Sequence, residues 1–193
     1  MNPVTASTKE EQTYTGIPTS KVLLWICIVS IIMLFAGLTS AYIVRQAEGN
    51  WVEFSLPRIF IFSTLIIFFS SITLHIALIS VKKNNFRNLL TFLIITLGLG
   101  LAFCFTQFLG WSRLVEQEIY FVGNPSGSFL YVITALHLAH LLGGIIYLLV
   151  LITDAIRMKY NSGNYLPVQL GSIYWHFLDI LWIYLFVFLL IIR

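Results

Sequence analysis

Charge is scarce in this chain. Asp, Glu, Lys and Arg make up 10% of its 193 residues while hydrophobic residues make up 59%, and the mean hydropathy is +0.91. So little charge excludes both a water-soluble domain of this length and a disordered chain. Cysteine is rarer still: Cys27 and Cys104 are the two, far apart, with no CxxC and no His at ligand spacing. That excludes a disulfide framework or a zinc module and leaves two small, buried thiols. The first 21 residues have neither the basic start and short apolar stretch of a signal peptide nor the Arg of a mitochondrial presequence, and they carry Glu10 and Glu11. They are expected to form a polar cytoplasmic tail, with Pro18, Thr19 and Ser20 marking the first helix start. The net charge of +3 comes from basic residues scattered over connections rather than set in a stripe, so no nucleic-acid partner is expected.

What is there is long and apolar. Five runs exceed the roughly 18 residues that cross a bilayer as helix: about Val22 to Val44, Ile59 to Val81, Leu89 to Gly110, Phe129 to Ile152 and Gly171 to Ile192. They are continuous rather than alternating, and open sheet edges cannot face lipid. The reading is an all-α integral membrane protein, with a five-helix membrane domain over residues 22–193.

Basic residues beside the runs set the orientation. Lys9, Lys21, Lys82, Lys83, Arg87, Arg157 and Lys159 fall on one face. Arg45, Arg58, Arg113 and Arg193 fall on the other, together with Glu48, Glu53, Glu116 and Glu118. The richer face is cytoplasmic, so the N-terminus is expected inside and the C-terminus outside.

Lipid offers no hydrophobic drive for helix association, so small residues are expected to mark contacts. Ser30, Gly37 and Ala41 share one side of the first run, and Gly98, Ala102 and Thr106 one side of the third. In the fourth run Thr134, His137, His140, Leu141, Gly144 and Tyr147 fall within one arc, and in the fifth so do Ser172, His176, Asp179 and Ile183. All four faces are expected to look inward. The candidate functional residues are therefore a buried polar cluster of His137, His140, His176 and Asp179. His75, near the inner end of the second run, is expected to reach the interface.

The cluster has three readings. An i, i+3 histidine pair can share a metal, yet no HExxH or Glu-x-x-His accompanies it, and neither a catalytic nor a metal site is assigned. An intramembrane Asp costs roughly 2.5–3.5 kcal/mol at mid-helix, and such residues often line proton routes. Hydrogen bonding between helices is the preferred reading. By depth alone, at about 1.5 Å per residue, His140 and Asp179 come within about 5 Å, which makes His140 the expected partner of Asp179.

Five stretches, in order, carry a resemblance: "IMLFAGLTSAYIV", "LPRIFIFSTLIIFFSSITLHIA", "LGLGLAFCFTQF", "SFLYVITALHLAHLLGG" and "YWHFLDILWIYLFVFLLII". Together they resemble subunit III of the haem-copper respiratory oxidases, cytochrome c oxidase subunit III, in its short five-helix bacterial form. The resemblance spans about Val22 to Arg193 and adds the retained Gln107 to the polar cluster. It departs from the family at two points. Ser30 is followed by Ile31 where many relatives have Glu, and Gly110 stands where a Glu often precedes the next aromatic.

The resemblance implies an accessory subunit of a proton-pumping terminal oxidase that passes electrons from cytochrome c to oxygen. This chain would hold no cofactor, with haem and copper in partner subunits I and II. It would pack on subunit I, support proton uptake, and contact membrane phospholipids in a groove that, without two leading helices, would be shallower or completed by a neighbour. It would sit in the bacterial inner membrane, alone in its oxidase or within a larger respiratory supercomplex. The alternatives are the third subunit of a quinol oxidase or nitric oxide reductase assembly and, from another class, an independent small transporter. The absence of a visible inverted repeat counts against the transporter.

Overall fold

A computed structural model describes residues 18–49, 51–52 and 55–192. The expected tail lies outside the described residues up to position 17, as do Lys9, Glu10, Glu11, Glu53 and Arg193 of the charge count. Five helices follow one another: α1 (Thr19–Ala47), α2 (Ile59–Lys82), α3 (Phe86–Glu116), α4 (Pro125–Ile156) and α5 (Leu166–Ile191). Each is long and apolar enough to cross a membrane, and no strand occurs among the described residues. The all-α reading holds.

Local chemistry sets the ends. Pro18 begins α1, its carbonyl accepting from Lys21 N at 2.8 Å. Asn85 Oδ1 caps α3 by accepting from Asn88 N at 3.2 Å. Asn124 Oδ1 caps α4 through Ser126 N at 2.9 Å, with Pro125 in the first turn where no amide hydrogen is needed. Asn84 adopts φ 54° between α2 and α3, a conformation Asn tolerates. Its side chain accepts from Ser162 N at 2.7 Å, tying that turn to the α4–α5 connection.

Helices α2, α3, α4 and α5 close a ring of neighbours, α2 on α3, α3 on α4, α4 on α5 and α5 on α2. Helix α1 stays outside the ring against α4 and α5 and does not touch α2, the next helix in sequence. The connection between them therefore crosses the end of the bundle. There Ser126 Oγ donates to Val52 O at 2.9 Å, and Trp51 stacks edge-on to Tyr42 with ring centroids 4.7 Å apart.

The α4 face is as expected: Thr134, His137, Leu141 and Gly144 are buried, with His140 and Tyr147 half-buried. The α1 face is corrected, and on α3 and α5 the expectation fails at Gly98 and Ile183, while Thr106, Ser172 and Asp179 turn inward as expected. Helix α1 buries Ile28, Ile31, Phe35, Thr39 and Tyr42 and turns Ser30, Gly37 and Ala41 outward. A peripheral helix seated on two others gains most by inserting its large side chains between them. On α3, Gly98 faces out with nothing near it, and the close approaches fall at Gly100 and Gly110 instead. On α5, Ile183 is 39% exposed, because Trp175 and Trp182 claim the core and rotate the buried face toward them. Cys104 is buried as expected, but Cys27 is exposed on the outer helix.

A Cβ added at Gly100 would lie 2.9 Å from Trp175 Cη2, and one at Gly110 would lie 2.8 Å from Phe60 Cζ. Both rings are fully packed, so neither can yield cheaply. Gly100→Ala is expected to lower stability by about 1–3 kcal/mol through overpacking. Gly37→Ala, with nothing within 4 Å, should be neutral or gain up to about 1 kcal/mol of helix preference. Thermal unfolding in detergent checks the order of the two variants, and a Gly37 variant less stable than the Gly100 variant would refute the assigned faces.

Candidate functional site

Polar contacts run through the ring interfaces and pair aromatic donors with hydroxyls. Between α5 and α2, Trp175 Nε1 donates to Ser70 Oγ at 3.0 Å and Trp182 Nε1 to Thr64 Oγ1 at 3.1 Å. His176 Nδ1 meets the Ser71 hydroxyl. Between α2 and α3, Ser63 Oγ donates to Thr106 Oγ1 at 2.9 Å, and the Thr73 and Thr96 hydroxyls lie 2.8 Å apart. Trp111 Nε1 donates to Thr134 Oγ1 at 3.1 Å across α3 and α4. Tyr174 Oη donates to His140 O at 3.1 Å across α5 and α4, and Tyr184 Oη to Thr39 Oγ1 at 3.1 Å across α5 and α1. In lipid each such donor would otherwise be unpaired.

Asp179 is buried on α5, with the Ser71 hydroxyl of α2 as its neighbouring donor. The expected pairing with His140 does not form. His140 turns toward α1, its ring 5.8 Å from Phe35, and its Nδ1 lies 2.7 Å from Leu136 O one turn back on its own helix. Depth placed the two residues within about 5 Å of each other along the membrane normal, but azimuth sends them to different neighbours. Ser71 Oγ also meets His176 Nδ1, so an imidazole N–H can donate to the hydroxyl while the hydroxyl proton goes to Asp179.

His137 is fully buried among Trp182 at 5.1 Å and Phe103 at 6.0 Å between ring centroids, and neither ring nitrogen has a partner. Gln107, one turn beyond Phe103 on α3, is also fully buried with both amide atoms unpaired. His176 is half-buried, and the exposed His75 ring lies 6.1 Å from it. The structure thus does not bring the cluster together: His137 packs on Phe103 and Trp182, Ser71 joins Asp179 to His176 with His75 beyond, and His140 faces α1. Among the described residues no three His, Cys, Asp or Glu converge as a metal site.

The indole and phenol pairings were not anticipated. Their signal lay in the sequence as Trp175 and Trp182, seven apart on one face of α5, matched by Ser70 and Thr64, six apart on antiparallel α2. Two apolar grooves flank α1. One, of about 380 Å³, is lined by Leu24, Cys27, Gly143, Tyr147 and Tyr174; the other, of about 400 Å³, by Ile32, Phe35, Phe177, Ile180 and Tyr184.

A family model described as cytochrome c oxidase subunit III matches residues 8–192. A probable cytochrome c oxidase subunit 3 of Nocardia farcinica is 30% identical over 177 residues, covering 89% of this chain and 86% of that protein. A cytochrome c oxidase subunit 3 of Thermostichus vulcanus is 31% identical, covering 88% and 85%. A probable quinol oxidase subunit 3 of Staphylococcus saprophyticus is 26% identical, covering 94% and 92%.

The Trp175–Ser70 bond is open to a double-mutant cycle with Trp175→Phe and Ser70→Ala. Polar contacts between membrane helices average about 0.6 kcal/mol and reach about 1.7. A coupling in that range is expected from unfolding in detergent, and additive single effects would show that the bond contributes nothing.

Proposed function

The chain belongs to the cytochrome c oxidase subunit III family, and we propose that it is the accessory, non-redox subunit of a proton-pumping terminal oxidase in aerobic respiration. The observation that carries this is a family match running from residue 8 to residue 192, which takes in every helix of the bundle. In such an enzyme electrons pass from cytochrome c to oxygen on haem and copper held by subunits I and II. This chain's own contribution is mechanical: it supports subunit I and, through it, proton uptake. The outward stripe of Ser30, Gly37 and Ala41 on α1 supports a helix of a partner subunit as the neighbour on that side, since small residues let backbones approach.

Membrane phospholipids are proposed to seat their chains in the two grooves beside α1, whose walls are almost wholly apolar side chains. The N-terminus is assigned to the cytoplasm of a bacterial inner membrane. Lys82, Lys83, Arg87, Arg157 and Lys159 at the ends of α2, α3 and α4 support this. The quinol oxidase reading has one specific observation behind it, the Staphylococcus saprophyticus relative. Oxygen uptake by the purified complex, with reduced cytochrome c or with a quinol as donor, separates the two.

Purification through a tag on this chain is expected to bring down subunits I and II, identified by native gel and mass spectrometry. Recovery of a homo-oligomer alone would overturn the assignment. Within the complex, the polar cluster of His137, His140, His176, Asp179 and Gln107 is proposed to serve structure rather than proton passage. Asp179→Asn, nearly isosteric, should therefore keep most turnover and pumping, whereas Asp179→Leu should loosen the subunit. Oxygen consumption, pumping stoichiometry and subunit retention in both variants test this, and a slow but fully assembled Asn variant would mean that Asp179 handles protons.

A further inference from the structure

At the end of the bundle opposite the Asn84 turn, the start of α2 and the end of α3 enclose a cavity of about 590 Å³. Arg58, Ile59 and Phe62 line it from one side, and Arg113, Glu116 and Gln117 from the other. It differs in kind from the two grooves beside α1, which no charged side chain lines. Here two guanidinium groups stand at the level where two apolar spans begin and end, the depth of a lipid headgroup.

The charges are unevenly engaged. Of the three arginines described at this end, Arg45 pairs with Glu48 at 3.0 Å and Arg113 with Glu116 at 2.8 Å. Arg58 is exposed, and its guanidinium has no partner among the described residues. The Arg113–Glu116 pair is itself open to water, with side chains 64% and 60% exposed, so it holds Arg113 weakly and leaves guanidinium donors free. Two cations and one carboxylate give the cavity a net charge of +1.

Toward the middle of the membrane the walls become apolar. On α2, Phe62 and Phe69 follow Arg58 by four and eleven residues, and on α3 Leu109 and Ala102 precede Arg113 by four and eleven, spacings that keep to one helix face. Phe62, Phe69 and Leu109 are exposed, and the small Ala102 is half-buried. A soluble anion would use the arginines and leave this seam bare. A ligand with a phosphodiester above hydrocarbon chains uses both, since guanidinium groups pair closely with phosphate oxygens. A zwitterionic headgroup would bring a further cation beside two arginines, so a headgroup of net negative charge fits better.

We propose that the α2–α3 cavity binds an anionic phospholipid of the phosphatidylglycerol type, its phosphate held by Arg58 and Arg113 and its chains laid along Phe62, Phe69 and Leu109. This goes beyond the accessory-subunit reading and does not rest on it, because it requires only that α2 and α3 cross a membrane.

The test uses the complex purified through this chain, whatever accompanies it, in nanodiscs of phosphatidylcholine with a minor share of phosphatidylglycerol. A phosphatidylglycerol probe with a photoreactive diazirine on one acyl chain is expected to label the seam residues of α2 and α3, read by mass spectrometry, in excess over the matching phosphatidylcholine probe. Arg58→Gln removes an exposed, unpaired side chain and leaves the fold alone. It should lower the labelling about fivefold, which corresponds to about 1 kcal/mol for one arginine beside anionic lipid. Arg87→Gln, at the opposite end of α3, should not change it, and inorganic phosphate in excess should not displace the probe. Equal labelling by the two probes, labelling that survives Arg58→Gln or falls equally in Arg87→Gln, or displacement by phosphate would each overturn the proposal. So would an unlabelled seam, which would mean that a partner subunit covers it.

Discussion

The side chain of Trp175 joins the four helices of the ring at one point. Its indole nitrogen bonds Ser70 on α2, and its ring lies where a Cβ on Gly100 of α3 would fall 2.9 Å away and one on Gly144 of α4 would fall 3.4 Å away. Hydrocarbon surroundings explain why a single residue carries so much. Apolar surface gains little by leaving lipid, so helices associate through close van der Waals fit and through hydrogen bonds that lipid cannot supply. Tryptophan offers both, a broad rigid surface and one donor that must be met. Trp182 repeats the arrangement two turns along, with Thr64 as its acceptor and Phe103, Phe60 and His137 around its ring.

Once α5 is fixed in this way, the place of α1 follows. The ring closes without it, leaving only the outer groove over α4 and α5. There Phe35 reaches His140 at 5.8 Å and Thr39 receives the Tyr184 hydroxyl. A helix held on one side only keeps most of its surface outward, which is why Cys27 and the small residues of α1 are exposed. In a multisubunit membrane enzyme this is the side with most contact left to make. The ring supplies a stiff support that does not depend on α1 for closure.

The lengths and order of the helices were legible in the sequence, because bilayer thickness is a constraint that a run of apolar residues meets or fails on its own. The inward face of α4 was legible as well, since polar and small residues there coincide on one arc. The face of α1 was not, nor the outward turn of Gly98 on α3. Small residues signal close approach of some backbone, but Gly37 and Gly98 do not say which, and among the described residues nothing of this chain lies within 4 Å of a Cβ at either. The expected Asp179–His140 pair failed for a related reason. Residue counting fixes depth along the membrane normal, whereas the direction of a side chain around its helix depends on which neighbours the helix has. Cys27 was misjudged by the same logic, as a residue inside an apolar run that the packing left outside.

The two departures from the family pattern bear on what kind of core this is. Where many relatives have Glu, Ile31 is 4% exposed and packed against the core cluster, and Gly110 abuts the Phe60 ring closely enough that even a methyl group would collide. At Gly110 a carboxylate has no room unless the Phe60 ring moves, and at Ile31 it would replace apolar contacts with the core cluster. Phe60 in turn lies 6.2 Å from Trp182, so a side chain grown at Gly110 would push on the indole that packs His137. The aromatic packing that stabilises the ring therefore also decides where an ionisable group can be kept. The remaining deep carboxylate is Asp179, one turn from Trp182. It is kept where the Ser71 hydroxyl of α2 faces it, at a position that no aromatic ring has to vacate, whereas a side chain at Gly110 would meet Phe60 at once.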